Sequence, residues 1–349
     1  MTAEMITLVV SLFVATLLVW GFKRLPKEQW QFFACIPRFK RPDGAWDGLN
    51  LTYYGIFNAT AYTAGALMAI MLFSAVGISL PAAFLLIASI LLVCMPASAL
   101  AARFIEKKPY TFSVAGAFFI GIFATPIVTA TINSVFGINY GFSLPLVPVL
   151  AATSASYALG EGIGRLACIS FGCCYGKPLA DCPFPLKALF DRWNFIFSGK
   201  TKKIAYAHQL DGVKVVPIQA LTALLSSTAG IAAMYLFLKG SMIGSLLTAL
   251  LPTQTWRVVS EFLRADYRGS GRFSKYQTMS ALSILLALIA AVLLPTPTTV
   301  VDPLLGLKNL WNPGVLITMQ GLWLLSFLYT GRSNVTASTV LLHVRRERI

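Results

Sequence analysis

Nine apolar runs, each close to twenty residues long, constrain the fold of this chain more than any other feature. A helix of about 20 residues crosses the roughly 30 Å hydrocarbon core of a bilayer and satisfies its own backbone hydrogen bonds. Only 12% of the 349 residues are charged, about half the share found in soluble domains. The sequence therefore predicts an all-α, polytopic helical membrane protein. The predicted spans are residues 5–21, 54–77, 80–102, 113–134, 144–166, 216–238, 241–263, 276–294 and 312–330.

The first span is interpreted as a retained helix, because no Lys or Arg precedes it and no small-residue cleavage pattern follows it. The longest polar stretch, residues 168–214, follows the fifth span. It is too short to build an independent hydrophobic core. We therefore expect a small extramembrane head that packs on the helix ends.

The net charge of +15 is unevenly distributed along the chain. Each basic segment follows an odd-numbered span of the nine, so all of them lie on the same side of the membrane. There they would attract anionic lipid head groups. The excess of Lys and Arg predicts that this side faces the cytoplasm. The segments are short and tied to membrane helices, so nucleic acid is not an expected partner. These basic segments are residues 22–53, 103–112, 165–214, 257–275 and 331–348.

Ionisable residues inside predicted spans are costly and mark candidate functional sites. Glu161 and Arg165 are four residues apart, so they share a helix face and can pair. Arg257, Glu261 and Arg264 share a face of a second span. Arginine suits a phosphate because its planar fork donates two hydrogen bonds. The two groups predict a buried site for an anion, with paired snorkelling residues at helix ends as the alternative.

The segment GRLACISFGCCYGKP, residues 164–178, raises the question of what its thiols do. The C-x4-C-C-x7-C spacing does not match a zinc motif, and His208 is the one histidine in the head, so no metal is expected. A disulfide would require an oxidising compartment. A nucleophilic cysteine lacks a supporting Cys-His arrangement. The favoured interpretation is small apolar residues in a tight turn from Gly172 to Gly176. The cysteines concerned are Cys168, Cys173, Cys174 and Cys182.

Four segments in order resemble the prolipoprotein diacylglyceryl transferase family over residues 51–294. They are TYYG before a span, GRLACISFGCCYGKP, VVPIQ opening a helix, and WRVVSEFLRADYRG. Members of that family move a diacylglyceryl group from phosphatidylglycerol to the thiol of a lipoprotein precursor and release glycerol phosphate. The resemblance implies a multi-pass protein of the bacterial cytoplasmic (inner) membrane. Its implied partners are phosphatidylglycerol or another anionic phospholipid and the signal-peptide region of a prolipoprotein, with no cofactor.

The resemblance also implies a division of the chain and a set of site residues. Residues 54–294 would form the transferase-like membrane core. Residues 1–53 would add a helix and a basic interfacial segment, and residues 295–349 a helix and a basic tail. The implied catalytic residues are Arg165, Arg257 and Glu261. The implied substrate-binding residues are Tyr54, Gly55, Glu161, Gly164, Gly172, Gly176, Lys177, Gln219 and Arg264.

The sequence departs from the family pattern at several positions, above all at the histidine that removes a proton in the family's reaction. Cys168 and Cys173 stand where the family has Asn and Glu, and Lys177 replaces its final Arg. The histidine of the family's HGGL segment aligns with Val114, or with Ser113 if the alignment slips by one. The remaining differences are Val216, Leu221 and Thr222, which stand for the His, Tyr and Glu of the HPxQLYE motif.

Three hypotheses follow from this pattern. The first is a transferase that acts on a phospholipid, and the second is a phospholipid-binding protein that keeps the arginine site without the chemistry. A channel or transporter is the third, but the sequence has neither inverted repeats nor broken helices. The resemblance places the head on the outer face, whereas the charge rule places it inside.

Overall fold

The computed structural model describes residues 2–105, 114–266, 273–295 and 299–349, and its dominant element is a bundle of long helices. Eight of these helices are long and apolar enough to cross a membrane. They confirm the predicted polytopic helical architecture. In chain order the helices are Ala3–Arg24 (α1), Tyr53–Ala75 (α2), Leu80–Ile105 (α3), Val114–Tyr140 (α4), Leu146–Phe171 (α5), Phe184–Phe190 (α6), Lys203–His208 (α7), Ile218–Leu238 (α8), Met242–Leu263 (α9), Lys275–Leu293 (α10), Pro303–Leu310 (α11) and Pro313–Thr330 (α12).

The predicted span at 241–263 is helix α9, which is long enough to cross but less apolar than the other eight. Its buried face includes Gln254, Arg257 and Ser260. These side chains are accommodated because α9 packs against α5, α8 and α10 rather than facing lipid alone. The first residue of the fourth predicted span, Ser113, and most of the basic segment 103–112 lie outside the described residues.

Helix α5 lies at the centre of the bundle and is buried along most of its length by α2, α8 and α9. Small residues allow this close approach. A Cβ added to Gly162 would lie 2.7 Å from the backbone nitrogen of Ser227, and one added to Gly230 would lie 2.6 Å from that of Leu159. Glycine at both positions lets the α5 and α8 backbones touch, as small residues do between membrane helices.

A three-stranded antiparallel sheet joins the two ends of the chain. Its strands are Phe32–Lys40 (β1), Trp46–Thr52 (β2) and Arg332–Val340 (β5), in the order β1-β2-β5. The predicted interfacial segment and basic tail are therefore paired strands. The β-branched residues of β5 favour a strand. Its partner lies almost 290 residues away, with Leu49 opposite Ala337, so nothing local in the sequence indicates the pairing.

The head follows α5 and contains α6, α7 and a short antiparallel pair of strands, Phe195–Ile196 (β3) and Lys214–Val215 (β4), which flank α7 in the chain. It docks on the segment between α1 and β1. The fully buried Lys202 Nζ donates to the carbonyl oxygens of Leu25 at 3.1 Å and Ser170 at 2.7 Å. Gln31 Nε2 donates to the carbonyl oxygen of Thr201 at 2.9 Å. These contacts place the head and the end of α1 at the same end of the bundle.

Candidate functional site

A buried arginine–glutamate–arginine cluster connects α5 to α9. Arg165 donates to Glu161 Oε1 at 2.5 Å, and Arg257 donates to the same oxygen. A second donation from Arg257, 2.7 Å long, reaches the hydroxyl of Tyr157. The side chains of Glu161, Arg257 and Arg165 are only 3%, 9% and 14% exposed. Two guanidinium groups share one carboxylate, so the cluster carries one positive charge in excess.

Two charged atoms of this cluster are buried and have no hydrogen-bond partner among the described residues. They are Arg165 Nε and Glu161 Oε2. A buried charged atom without a partner is costly, because the hydrogen bonds that water would supply are lost. An anionic group placed against Arg165 would accept from Nε and compensate the excess charge. The cluster is therefore chemically suited to bind a phosphate.

Glu161, rather than Glu261, is the carboxylate that both central arginines contact. Glu261 is partly buried and accepts a hydrogen bond 3.2 Å long from the Ser274 hydroxyl at the start of α10. The shared helix face predicted for residues 257, 261 and 264 ends early, because Arg264 caps α9 in an extended conformation (φ −85°, ψ 148°).

Arg264 ties the end of α9 to the head. Its guanidinium binds Asp266 through two hydrogen bonds of 2.8 Å, a bidentate pair. Its backbone pairs with Gly176 in an antiparallel bridge, and Lys177 N donates to the carbonyl oxygen of Leu263 at 2.9 Å. The Lys177 side chain is exposed, so this residue contacts the end of α9 through its backbone.

Two of the implied site glycines, Gly55 and Gly176, allow close packing of the backbone. A Cβ on Gly55 would overlap the backbone of Gly331 at the end of α12, and one on Gly176 would overlap the carbonyl oxygen of Val216. Gly164 packs loosely, 3.5 Å from the Ala61 methyl group. The contacts at these three positions are with protein atoms.

Tyr54 and Gln219 both lie against the turn that follows α5. The Tyr54 ring contacts Phe171, with 5.7 Å between ring centroids. Gln219 is buried, and its Nε2 donates to the carbonyl oxygen of Cys173 at 2.8 Å. Its Oε1 has no hydrogen-bond partner in the described part of the chain. Two implied substrate-binding residues therefore meet the same turn from α2 and α8.

The turn itself brings three thiols together. Gly172 caps α5 in the left-handed conformation (φ 70°), and Cys173 N donates to the carbonyl oxygen of Cys168 at 3.0 Å. With Gly172 N donating to Ile169 O, this is a Schellman motif. Cys174 is also left-handed (φ 58°). As a result the Sγ atoms of Cys168, Cys173 and Cys174 lie within 4.8 Å of one another.

A tyrosine–histidine pair adjoins the thiols. The Tyr175 hydroxyl hydrogen-bonds with Nδ1 of His208, which lies exposed at the end of α7. Burial, and then the negative charge of Asp266, raise the pKa of Tyr175. The position aligned with the family's histidine, Val114, is 46% exposed at the start of α4, and the alternative Ser113 lies outside the described residues.

Sequence reasoning missed Tyr157 as a contributor to this site, and it named Tyr175 and His208 as candidate bases without predicting that they pair. Tyr157 lies four residues before Glu161, so the same i, i+4 spacing that paired Glu161 with Arg165 could have found it. The Tyr175–His208 pair spans 33 residues and depends on the fold of the head, so no local signal predicts it.

The comparison with protein families identifies the family of the chain. The model of the prolipoprotein diacylglyceryl transferase family matches residues 45–294, from β2 to the end of α10. The matched region contains the arginine–glutamate–arginine cluster, the glycine turn and the head. None of the curated proteins with which the chain was compared is significantly similar to it. Because the family model covers well over half of its 349 residues, this multi-pass membrane chain belongs to the prolipoprotein diacylglyceryl transferase family.

Proposed function

We propose that the protein transfers a diacylglyceryl group from phosphatidylglycerol to the cysteine thiol of a lipoprotein precursor in the bacterial cytoplasmic membrane. The observation that carries this proposal is the buried Arg165–Glu161–Arg257 cluster, with its excess positive charge and an Arg165 Nε that has no partner within the part of the chain that the structure describes. The phosphate of an anionic phospholipid matches this cluster in charge and in hydrogen-bonding capacity.

In the proposed reaction the acceptor thiolate attacks the glycerol carbon bonded to the phosphate oxygen. A carbon–sulfur bond forms, the carbon–oxygen bond breaks, and its electron pair leaves with glycerol phosphate. Negative charge then develops on the phosphate oxygen. Arg165 and Arg257 are already held in place by Glu161, so they stabilise that charge without reorganising during the reaction.

The acceptor thiol must lose its proton, and the family's histidine is absent. His208 is the imidazole that the head brings close to the glycine turn, through Tyr175. A thiol is also partly ionised near neutral pH, so it needs a general base less than an alcohol does.

Complementation of a bacterial strain depleted of its own diacylglyceryl transferase tests this function. We expect the wild-type protein to restore lipoprotein modification. Arg165→Ala and Arg257→Ala should each reduce it at least about 100-fold, as loss of a preorganised charge stabiliser does. Arg192→Ala, in the exposed part of the head, is the matched control and should retain activity. Failure of the wild-type protein to convert any precursor would exclude the lipoprotein substrate.

The lipoprotein substrate also requires the head to face outward. A topology reporter fused after Gly199 should therefore be active outside the cytoplasm. Activity of that reporter inside the cytoplasm alone would overturn the proposed acceptor, because precursor cysteines are modified on the outer face in this family.

The second candidate is a phospholipid-binding protein without transfer activity, and Val114 in place of histidine favours it. It predicts that anionic phospholipid co-purifies with a wild-type protein that modifies no lipoprotein. Extraction and identification of the bound lipid tests it, and a purified protein free of phospholipid would count against it.

A further inference from the structure

The three clustered thiols form a donor set that neither the phosphate site nor the proposed transfer step uses. Cys168 comes from the last turn of α5, whereas Cys173 and Cys174 follow the left-handed Gly172. Their Sγ atoms lie within 4.8 Å of one another, and all three residues are partly exposed. None of the six cysteines, all of which the structure describes, forms a disulfide.

The spacing of these sulfur atoms is close to what a thiophilic ion requires. A Zn–S bond is about 2.3 Å long, so three sulfurs around one ion lie roughly 3.8–4.0 Å apart. Ion binding would therefore require the sulfur atoms to approach one another by up to about 1 Å. Three protein ligands with a fourth position left open is also the arrangement of catalytic zinc sites.

The charges around the cluster favour a dication bound to three thiolates. Such a complex has a net charge of −1. Arg165, Arg264 and Lys203 all lie within electrostatic reach of the thiols. Glu161 pairs with Arg165 and Asp266 pairs with Arg264, so these three cations exceed the two carboxylates by one positive charge, which the metal–thiolate complex would compensate. The buried Gln219 lies against the same turn, since its Nε2 donates to the carbonyl oxygen of Cys173 at 2.8 Å.

We propose that Cys168, Cys173 and Cys174 bind a thiophilic divalent cation of the zinc class, with a fourth position open to a thiol ligand. Binding replaces the three cysteine protons, which are released to solvent. In the part of the proposal that rests on the proposed function, the fourth ligand is the acceptor thiol. When the acceptor thiol coordinates the ion, its proton is released to solvent as well, so the ion would supply the deprotonation that Val114 cannot.

Metal binding is tested on the purified full chain in detergent under reducing conditions, with Zn²⁺ for stoichiometry and Co²⁺ for its thiolate absorption. We expect about one ion per chain, protons released on binding, and the intense charge-transfer band of cobalt–thiolate ligation. Cys168→Ser, Cys173→Ser and Cys174→Ser should each weaken Zn²⁺ binding at least about 100-fold, beyond the 10–100-fold typical of losing an outer-shell partner. Cys35→Ser, Cys94→Ser and Cys182→Ser are the controls, because these cysteines lie outside the cluster.

The outcomes separate this proposal from its competitors. Unchanged Zn²⁺ binding in the Cys168/Cys173/Cys174 triple serine variant would overturn it, as would no binding by the wild-type protein. Loss of two hydrogens by mass in the metal-free wild type, with no Zn²⁺ uptake after reduction, would show a redox pair instead. Correct folding of the triple variant is checked by its gel-filtration profile.

The proposed function and the metal site can fail independently. Arg257→Ala should abolish lipid transfer and leave Zn²⁺ binding intact, because Arg257 contacts Glu161 and Tyr157 rather than the thiols. Addition of N-acetylcysteine amide to the Co²⁺-loaded wild type should shift the cobalt spectrum as the fourth position is filled. An unchanged spectrum would overturn the thiol ligand, even if complementation shows the protein to be an active transferase.

Discussion

Glu161 is the residue on which the charge balance of the buried site depends. It is almost fully buried and contacts two guanidinium groups that come from different helices. Removing one partner of a buried ion pair is more costly than removing the whole pair, since the remaining charge stays desolvated. Here the loss of one carboxylate would leave two arginines facing each other.

Glu161→Gln should therefore be severely destabilising and inactive. We expect a loss of about 3–5 kcal/mol in the free energy of unfolding, typical of a broken buried ion pair. Thermal unfolding in detergent measures the stability, and complementation measures the transfer. Glu261→Gln is the matched control, and it should cost less than about 1.5 kcal/mol because Glu261 accepts one hydrogen bond from Ser274. Equal shifts in the two variants would contradict the central role of Glu161.

At the level of residues, the sequence predicts which side chains belong to the candidate site better than it predicts which of them are in contact. The helical spacing correctly pairs Glu161 with Arg165, because a helix face is a local property. The contact of Arg257 with Glu161 crosses 96 residues and requires α5 and α9 to pack together. Glu261 is also four residues from an arginine, Arg257, and the same helical spacing would predict that they pair. The Glu261 carboxylate instead accepts a hydrogen bond from Ser274 at the start of the next helix.

Among the elements, the turn after α5 determines both the thiol cluster and the position of the head. Gly172 has φ 70°, and an added Cβ would lie 3.0 Å from the Lys202 Cβ. A non-glycine residue in the left-handed region costs roughly 1–2 kcal/mol. The turn therefore requires glycine for conformation and for space.

Gly172→Ala should lower the free energy of unfolding more than the same substitution of another left-handed glycine in the head. Gly212 is the control, because it has nearly the same φ of 73° and no heavy atom within 4 Å of an added Cβ. We expect Gly212→Ala to cost about 1 kcal/mol from backbone strain alone. Gly172→Ala should cost at least twice as much, since it adds the clash with Lys202. Chemical unfolding of both variants measures the difference, and equal losses would show that the space at Gly172 is not limiting.

Lys202 makes the docking of the head dependent on pH. Burial lowers the pKa of this side chain to about 7, below the ordinary value near 10.4. As a neutral amine it has two N–H donors, which match the two carbonyl oxygens it contacts. Between pH 7 and about 10 the unfolded chain binds a proton that the folded head does not. Stability therefore rises with pH through this window and is lost as the pH falls towards 7.

Unfolding temperatures measured at pH 7, 8 and 9 test this linkage. The wild-type protein should gain up to about 1.4 kcal/mol of stability per pH unit relative to Lys202→Met, which cannot titrate. Lys187→Met, in helix α6 of the head, controls for the loss of a lysine. Parallel pH profiles for the wild type and Lys202→Met would contradict the prediction.

The spans are the elements that the sequence predicts best, because length and hydropathy are local. Helix α9 shows where that signal weakens, since its buried polar residues lower the mean apolarity of a helix that packs inside the bundle. Strand β5 is an element that this local signal does not predict. An exposed nine-residue stretch has the composition of a strand, but only its distant partner β2 makes it one.

Across the whole molecule, four basic segments meet at one end of the bundle. This agrees with their positions after odd-numbered predicted spans, which place them on the same side of the membrane. The end of α1 contacts the head through Lys202, the head pairs with α9 through Gly176 and Arg264, and β5 pairs with β2. The remaining basic segment, 103–112, lies mostly outside the described residues. The positive charge that surrounds the site is therefore gathered from distant parts of the chain, which suits an anionic lipid substrate.

The sheet that closes this end joins strands from both sides of the family-matched region. Strand β5 lies beyond residue 294, and β1 precedes residue 45. The buried Asn50 on β2 holds β5 through hydrogen bonds to Thr336 at 3.1 Å and Ser338 at 2.5 Å. Without β5, one edge of β2 would expose unpaired backbone groups.

Deletion of residues 332–349 should therefore loosen β2 while leaving the helical bundle folded. We expect hydrogen exchange of the 46–52 amides to accelerate at least about tenfold, corresponding to roughly 1.4 kcal/mol of lost local stability. Deletion of residues 341–349 is the control, because it removes the tail after β5 and keeps every paired residue of that strand. Exchange of α5 amides should stay slow in both deletions, since α5 is buried by α2, α8 and α9. If the two deletions affect β2 equally, the tail rather than strand pairing protects this end of the molecule.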